Sequence, residues 1–270
     1  MRFCPNLSIL FKEAPFLERF ARAAEAGFGA VEFWWPAEQE LEAMEAAIAD
    51  AGLSVALFNF YAGDMPAGDR GLLSDPERAG EFRDNVPVAL DLARRLGCPR
   101  LNALVGLELA GVDRAEQLGL ASENIAWAAD QAAPHGIEVM IEAVNTFENG
   151  PYLLRTTREA ARFVEVVGRD NVKLQYDVYH MQRMEGNLVA NLREFADRIA
   201  HIQVADSPGR GEPGTGEINY PFVFSAIEEL DGSGFVGLEY NPTTDSTEAS
   251  LEWLPRDRRG GQVSARDLDL

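Results

Sequence analysis

The segments that decide the fold are IEVMIEAVN (137–145), VKLQYDVYH (172–180), IAHIQVADS (199–207) and FVGLEYNP (235–242). Each is an apolar run that closes with an oxygen-bearing side chain, and these are Glu142, Asp177, Gln203 and Glu239. The four residues are 35, 26 and 36 positions apart, about one β/α unit each. A buried carboxylate or amide is costly unless it is paired or bound to a metal. Any one of them could cap a helix or pair with arginine, but four in register predict a divalent metal site and therefore an enzyme.

Short β-branched or aromatic runs alternate with longer helical patterns along the whole chain. Strands are predicted near residues 2–10, 29–34, 53–59, 99–105, 137–143, 172–178, 199–205 and 234–240. Helices are predicted near residues 15–26, 38–51, 77–96, 113–134, 156–167, 188–197 and 220–230. Strands that alternate with helices form a parallel sheet, and eight strands fit a closed barrel. We therefore predict an α/β fold, a single (β/α)₈ TIM barrel over residues 1–255, with a polar, mobile tail over residues 256–270.

The bulk composition narrows the class of protein. The 270 residues are 46% hydrophobic, and the net charge of −20 disfavours nucleic acid as a partner because like charges repel. No apolar run is long enough to span a membrane, and the N-terminal segment does not resemble a signal peptide. The two cysteines, Cys4 and Cys98, are expected to be reduced and buried. These features predict a cytoplasmic protein, and they leave a homo-oligomer open.

Two long loops follow predicted strands. They are FYAGDMPAGDRGLLSDPER (60–78) after the third strand and ADSPGRGEPGTGEINY (205–220) after the seventh. Both are rich in glycine, proline and charge. Because the active sites of α/β barrels form at the carboxyl ends of the strands, loops of this length in this place favour a functional role.

The predicted ligands determine which metal and which chemistry the site suits. All four offer oxygen, which favours Mg²⁺ or Mn²⁺ over zinc. Such an ion would polarise the carbonyl of an α-hydroxycarbonyl substrate and stabilise the enediolate that forms when a proton is lost. Glu142 and Glu239 come from the fifth and eighth strands, nearly opposite each other in a barrel. One is predicted to remove a proton and the other to return it to the neighbouring carbon.

Two further side chains are candidates for binding the substrate. His180 follows Asp177 by three residues, and it could cap a helix or donate a hydrogen bond to a substrate oxygen. Arg210 lies in the loop after the seventh strand, and it could be a solvated charge or hold a substrate carboxylate with its planar fork.

The chain resembles the hydroxypyruvate isomerase family of xylose isomerase-like barrels over about residues 1–255. The resemblance rests on FNFYAGDMPAGDRG (58–71), IEAVNTFENGPYLLRTT (141–157), LQYDVYHMQ (174–182), HIQVADSPGRGEPGTGEINY (201–220) and GLEYNP (237–242). It implies a (β/α)₈ barrel that interconverts the aldehyde and ketone forms of a small hydroxy-oxo acid. The substrate would be hydroxypyruvate, isomerised to tartronate semialdehyde, or 2-oxo-tetronate in a related branch.

Carried over by motif, the resemblance makes Glu142 and Glu239 both the acid–base pair and metal ligands. Asp177 and Gln203 become the other metal ligands, and the substrate contacts become His180 and Arg210. The chain departs from the family where Gly211 stands in place of a frequent histidine, and where Ala143 stands in place of a frequent proline.

The alternative is a ketose 3-epimerase or another sugar isomerase on the same barrel. Such relatives resemble the chain at both glutamates, at Asp177 and at His180, but they typically carry histidine where this chain has Gln203. A barrel that cleaves DNA at abasic sites would need more histidines than three and a basic groove. A non-catalytic binding module would have little reason to keep all four ligands.

Overall fold

The computed structural model describes residues 1–230 and 234–270, and an eight-stranded parallel sheet lies at its centre. The strands are β1 (Phe3–Pro5), β2 (Ala30–Phe33), β3 (Ser54–Asn59), β4 (Arg100–Ala103), β5 (Glu138–Glu142), β6 (Val172–Asp177), β7 (Ile199–Val204) and β8 (Val236–Leu238). They pair in the order β1-β8-β7-β6-β5-β4-β3-β2. A parallel bridge between Asn6 and Glu32 brings the first strand to the second, so the barrel is nearly closed. This confirms the predicted (β/α)₈ architecture.

Helices surround the sheet in the positions that the sequence predicts. The helices are α1 (Glu18–Glu25), α2 (Leu41–Asp50), α3 (Ala79–Leu96), α4 (Arg114–Ala132), α5 (Thr146–Asn149), α6 (Thr157–Val167), α7 (Val178–Met184), α8 (Leu188–Glu194), α9 (Tyr220–Glu228) and α10 (Thr247–Ser250). Seven of them match predicted helices, and the short helices α5, α7 and α10 were not predicted. None of the helices described in the structure is long and apolar enough to cross a bilayer.

The first strand is shorter than predicted. It was expected over residues 2–10 but ends at Pro5. The carbonyl of Asn6 accepts the N–H groups of Ile9 and Leu10 at 3.2 and 2.8 Å, which turns the chain out of the sheet. The apolar residues that follow pack in the core without forming strand.

Both cysteines are buried and unpaired. Cys4 lies on β1, and Cys98 directly follows α3 and its terminal Gly97. Burial raises the pKa of the Cys98 thiol to about 12 and that of the Cys4 thiol well above its usual value. Neither thiol is therefore ionised at neutral pH.

The segment over residues 256–270 contacts the barrel at several points. The buried Arg259 donates to the carbonyls of Ala26, Leu251 and Leu254 at 2.8–3.0 Å. Val263 is also buried, and its N–H donates to the carbonyl of Met1 at 2.8 Å. These contacts are those of a packed segment. The domain boundary at residue 255 and the mobility of the tail stay predictions.

Candidate active site

The four predicted ligands lie at the carboxyl ends of four neighbouring strands. Glu142 and Asp177 close β5 and β6, Gln203 is the next-to-last residue of β7, and Glu239 follows β8. The strand register pairs Asp177 with Gln203 directly. All four residues are at least 95% buried. Burial of such polar groups is costly unless they are paired or hold a ligand.

Glu142, Asp177 and His180 form a compact cluster in which one ligand atom of each residue lies within 4.8 Å of the others. The His180 Nε2 atom is 4.0 Å from Glu142 Oε1 and 3.7 Å from Asp177 Oδ2. Asp177 also accepts the backbone N–H of His180 at 3.1 Å, which begins α7. Burial, then the charges of Glu239 and Asp177, raises the pKa of Glu142 well above its usual value.

Glu239 is held by three donors from distant parts of the chain. Its Oε1 atom accepts from Trp34 Nε1 at 2.7 Å and from Asn6 Nδ2 at 3.1 Å, and its Oε2 atom accepts from Arg210 Nη2 at 2.6 Å. Burial raises the pKa of Glu239 to about 7, although Arg210 opposes the shift. A carboxyl group with this pKa can take up or release a proton near neutrality.

The amide of Gln203 is oriented by a buried carboxylate that the sequence analysis missed. Gln203 Nε2 donates to Glu32 Oε1 at 2.6 Å, and Gln203 Oε1 accepts from Gln175 Nε2 at 2.6 Å. The N–H₂ group of Gln203 therefore faces Glu32, and its amide oxygen faces Gln175. Glu32 also contacts His201 Nε2 at 2.7 Å and accepts from Asn6 Nδ2 at 3.1 Å. A glutamate inside the apolar strand β2 was the signal that could have identified it.

The hydrogen bonds of His180 fix the nitrogen that carries its proton. Asn145 Oδ1 accepts the backbone N–H groups of Phe147 and Glu148 at the start of α5, so its Nδ2 group must face His180 Nδ1, 2.7 Å away. The Nδ1 atom is then the acceptor, and the proton lies on Nε2. Burial lowers the pKa of His180 to about 4, so the ring is neutral at pH 7.

One cavity unites most of the predicted residues. It is lined by Glu142, Glu239, His180 and Arg210, together with Trp34, Arg70, Asn102, Asn149 and Gln175. Asp177 joins this group through His180, and Gln203 joins it through Gln175. Trp34, Arg70 and Asn102 were not among the site residues that the sequence analysis predicted.

The donor set suits a hard metal ion. The ligand atoms of Glu142 and Asp177 lie within 4.8 Å of each other, and Gln203 and Glu239 add further oxygen from neighbouring strands. His180, whose Nε2 atom carries the proton, lies beside them as a donor. Within the described residues, the buried Oε1 atom of Gln175 and the buried Oδ1 atom of Asn102 have no hydrogen-bond partner. Unsatisfied oxygen beside three mutually repelling carboxylates indicates a site for a cation or for donor groups of a ligand.

Gly211 lies in a confined position. A Cβ atom there would be 2.5 Å from Thr215 Oγ1 and 2.7 Å from Thr243 Cγ2. The neighbouring Glu212 accepts from the backbone N–H and the hydroxyl of Thr243 at 2.9 and 2.7 Å. The two threonines thus occupy the space that a side chain at position 211 would need.

Known proteins are similar to this chain over nearly their whole length. The xylose isomerase-like TIM barrel family matches residues 20–256. The hydroxypyruvate isomerase of Escherichia coli (strain K12) is 45% identical over 254 residues, which cover 94% of this chain and 98% of the relative. The chain belongs to the hydroxypyruvate isomerase family. This confirms the resemblance that the sequence motifs carry.

The chain is also similar to a second relative and to a solved structure. A 2-oxo-tetronate isomerase of Cupriavidus necator is 41% identical, covering 94% of this chain and 97% of the relative. The crystal structure of an AP endonuclease, family 2, from Brucella melitensis has 43% identity and a TM-score of 0.89, covering 93% of this chain and 97% of that one. As a member of the hydroxypyruvate isomerase family, the chain is an enzyme of the aldose–ketose isomerase type.

Proposed function

We propose that the protein interconverts the aldehyde and ketone forms of a small hydroxy-oxo acid by proton transfer between two glutamates. The substrate is hydroxypyruvate, converted to tartronate semialdehyde, or 2-oxo-tetronate. The observation that carries the proposal is that Glu142 and Glu239 face one cavity, are buried, and both have a raised pKa. Two carboxyl groups whose pKa values are raised, that of Glu239 to about 7, suit removal of a proton from one carbon and its return to the next.

Glu142 and Glu239 have the positions that the reaction requires. They extend from β5 and β8, three strands apart in a ring of eight. A substrate that lies between them presents one reacting carbon to each carboxyl group. For hydroxypyruvate, one glutamate removes a proton from the hydroxymethyl carbon, and the other delivers a proton to the former carbonyl carbon. The hydroxyl proton passes from the oxygen of the hydroxymethyl carbon to the former carbonyl oxygen, which completes the aldehyde. The enediolate is the intermediate between the two steps.

His180 acts on the oxygen atoms of the substrate rather than on its carbons. Its Nε2 atom bears the proton and faces the carboxylates of Glu142 and Asp177 at 4.0 and 3.7 Å, beside the cavity. Because its pKa is about 4, the ring stays a neutral donor throughout the physiological range. A fixed N–H donor stabilises negative charge as it develops on an enediolate oxygen.

Glu142, Asp177, Gln203 and Glu239 would together hold a hard dication, Mg²⁺ or Mn²⁺. Such an ion supplies electrostatic stabilisation of the enediolate oxygens and acidifies the adjacent C–H bond. Glu32 supports this role because it keeps the amide oxygen of Gln203 turned away from itself. Arg210 keeps Glu239 in place through the 2.6 Å contact with Oε2, and its predicted contact with the substrate is part of the same proposal.

The test is proton exchange in D₂O, followed by proton NMR on the Mg²⁺-loaded protein with hydroxypyruvate and, separately, with 2-oxo-tetronate. The wild type should incorporate deuterium and form the isomer of one acid, which identifies the substrate. Glu142→Gln and Glu239→Gln should each reduce the rate of proton exchange by about 10²- to 10⁴-fold. Glu138→Gln is the matched control, because Glu138 lies at the other end of β5 and pairs with Arg100 at 3.2 Å.

Near-normal turnover in either site variant would contradict the two-glutamate mechanism. Exchange on a ketohexose but on neither acid would identify the protein as a 3-epimerase instead. Metal content measured on the same samples separates the two roles of the glutamates, because a variant that keeps its metal and loses exchange has lost proton transfer alone.

The cellular setting belongs to the same proposal. We expect a cytoplasmic enzyme that acts on a small molecule and has no nucleic-acid partner, in keeping with the net charge of −20. A homo-oligomer stays a prediction, which sedimentation of the purified protein would test.

A further inference from the structure

Arg70 is a cation in the cavity that forms no ion pair with any carboxylate of the described residues. It lies in the loop after β3, is partly buried, and lines the same cavity as Glu142, Glu239 and Arg210. Among the residues that the structure describes, its side chain makes three hydrogen bonds, all to neutral oxygen atoms. A guanidinium group removed from water without a carboxylate partner is costly, and a ligand anion would offset that cost.

The three hydrogen bonds hold the guanidinium group but leave one edge of it free. Its Nε atom donates to Asn149 Oδ1 at 2.7 Å, and its Nη1 atom donates to the carbonyls of Met65 and Asp69 at 3.0 and 2.7 Å. Within the described part of the chain, Nη2 takes part in none of these bonds. A group fixed in this way loses little conformational freedom when a ligand arrives, so its remaining donors bind efficiently.

The loop that carries Arg70 is built around one ion pair. Asp69 accepts both contacts of Arg78 Nη1 at 2.8 and 2.9 Å, and it also accepts the backbone N–H of Asp64 at 2.8 Å. Gly63 packs directly on the Asp69 carboxylate with φ at +88°, where a Cβ atom would overlap it. This construction fixes the backbone on one side of Arg70.

Gly71 fixes the backbone on the other side. Its φ is +104°, and a Cβ atom there would overlap the carbonyl of Leu104 in the segment that follows β4. The N–H of Gly71 also donates to the carbonyl of Ala62 at 2.9 Å, which closes the loop at its base. The backbone on either side of Arg70 thus follows a tight path that only glycine can adopt at positions 63 and 71.

Arg210, the other guanidinium group in the cavity, is already engaged. Its Nη2 atom donates to Glu239 Oε2 at 2.6 Å, and its Nε atom lies 3.4 Å from the carbonyl of the same residue. Burial and then the charge of Arg210 lower the pKa of Arg70, although the charge of Asp69 opposes the shift. An anion near Arg70 would relieve the repulsion between the two cations.

We propose that Arg70 binds the carboxylate of the substrate and thereby selects hydroxy-oxo acids over uncharged sugars. The inference rests on the proposed function and names the residue that gives it acid specificity. The two reacting carbons lie between the glutamates of β5 and β8, and the carboxyl carbon is attached at the end of that pair. Arg70 approaches from β3, which is four strands from β7 and its Arg210 loop, so it faces the substrate from the opposite wall.

The test compares binding and turnover in Arg70→Ala, Arg70→Lys and Arg210→Ala, with Arg83→Ala as the control. Arg83 contacts Asn124 at 2.6 Å and does not line the cavity. The binding probe is glycerate, a non-isomerising three-carbon acid, measured by calorimetry on the Mg²⁺-loaded protein. Arg70→Ala should weaken glycerate binding by about 100-fold, and Arg83→Ala should leave it unchanged. Arg70→Lys keeps the charge but loses the planar guanidinium group, so its glycerate affinity should lie between those of Arg70→Ala and Arg83→Ala.

Turnover of hydroxypyruvate distinguishes binding from a merely structural role. Since the carboxylate does not react, Arg70→Ala should raise KM strongly with little change in kcat, whereas Arg210→Ala should lower kcat by disturbing Glu239. Free guanidinium ion added to Arg70→Ala should restore part of the glycerate affinity, which a misfolded loop would not permit.

Wild-type affinity for glycerate in Arg70→Ala would overturn the inference. So would loss of glycerate binding in Arg210→Ala alone, because Arg210 would then hold the carboxylate, or a wild type that does not bind glycerate. If the wild type binds glycerate through Arg70 yet isomerises neither hydroxypyruvate nor 2-oxo-tetronate, the carboxylate site stands and the proposed reaction fails.

Discussion

Asn145 controls His180 through a single hydrogen bond. Its amide oxygen caps α5, which leaves its N–H₂ group to donate to His180 Nδ1 and places the proton of the ring on Nε2. Asn145 was not among the predicted site residues, although it lies three positions after Glu142 in the same quoted segment. A residue that orients a functional histidine by a hydrogen bond commonly has a strong effect on activity, although it does not touch the substrate.

Asn145→Asp should reverse the tautomer of His180 while it preserves the cap. A carboxylate can only accept a hydrogen bond, so it favours the tautomer with the proton on Nδ1 and none on Nε2. Because the Nε2–H donor is then lost, kcat should fall by about 10- to 100-fold, with little change in thermal stability. Asn145→Ser, which keeps the capping oxygen and lacks the amide donor, should give a smaller loss. Steady-state kinetics and nitrogen NMR of the imidazole measure the two effects. Full kcat in Asn145→Asp would show that the tautomer does not matter.

At the scale of the elements, β8 and β2 meet across Glu32. Gly237 on β8 packs against the Glu32 carboxylate, and a Cβ atom there would be 2.6 Å from the carboxyl carbon. Because Glu32 donates nothing and accepts from Gln203 and Asn6, any displacement of it is transmitted to both. The packing of Glu32 beneath the site therefore depends on glycine at position 237.

Gly237→Ala should destabilise the fold by about 1–3 kcal/mol, the usual cost of forcing an extra methyl group into a packed interior. Gly119→Ala is the control, because nothing lies within 4 Å of its Cβ position on helix α4. Alanine is the better helix former, so the control should be more stable than the wild type by about 0.5–1 kcal/mol. Urea unfolding gives both values. Equal stability of the two variants would mean that β8 has room at this point.

The elements that the sequence predicts well are those with strong periodicity. The helices α3 and α4 and the strands β5 to β7 follow from apolar patterns over many residues. The short helices α5 and α7 follow from capping by Asn145 and Asp177, and a cap with four to seven residues leaves little periodic signal. The shortening of β1 likewise depends on a turn at Asn6 that the apolar run conceals.

At the scale of the whole molecule, closure of the barrel explains which parts of the site the sequence could predict. The strand-end residues Glu142, Asp177, Gln203 and Glu239 come from consecutive strands, so their spacing predicts that they meet. Trp34 contacts Glu239 across 205 positions of sequence, and Glu32 contacts Gln203 across 171. Those contacts arise only when the first strands close against the last, and no local pattern records that event.

The site also links metal binding to the pH dependence of stability. Glu142 and Glu239 have a folded-state pKa above the ordinary value of about 4.3, so between that value and the raised one the folded protein binds more protons than the unfolded chain. Their contribution to stability is therefore complete at low pH and is lost as the pH rises through the folded pKa, about 7 for Glu239. A dication replaces the proton and offsets this loss.

Mg²⁺ should therefore raise Tm more at about pH 8 than at about pH 5.5, where protons compete with it. Calorimetry with Mg²⁺ or with a chelator at matched ionic strength measures the difference. NaCl is the necessary control, because a net charge of −20 makes the protein sensitive to general screening. An increment that does not change with pH would show that the metal ion, if bound, is not held by these carboxylates.

The two buried thiols give the barrel an internal probe of its own motions. Cys4 lies on β1, and Cys98 is separated from β4 by Pro99 alone, so the two thiols are buried in different sectors of the barrel. With a raised pKa and no solvent access, each becomes open to alkylation only when its own sector separates. The rates at which a thiol reagent modifies the two positions therefore report how often each sector opens locally, without any label having to be engineered. A cysteine introduced on the surface would, by the same logic, be the first to react.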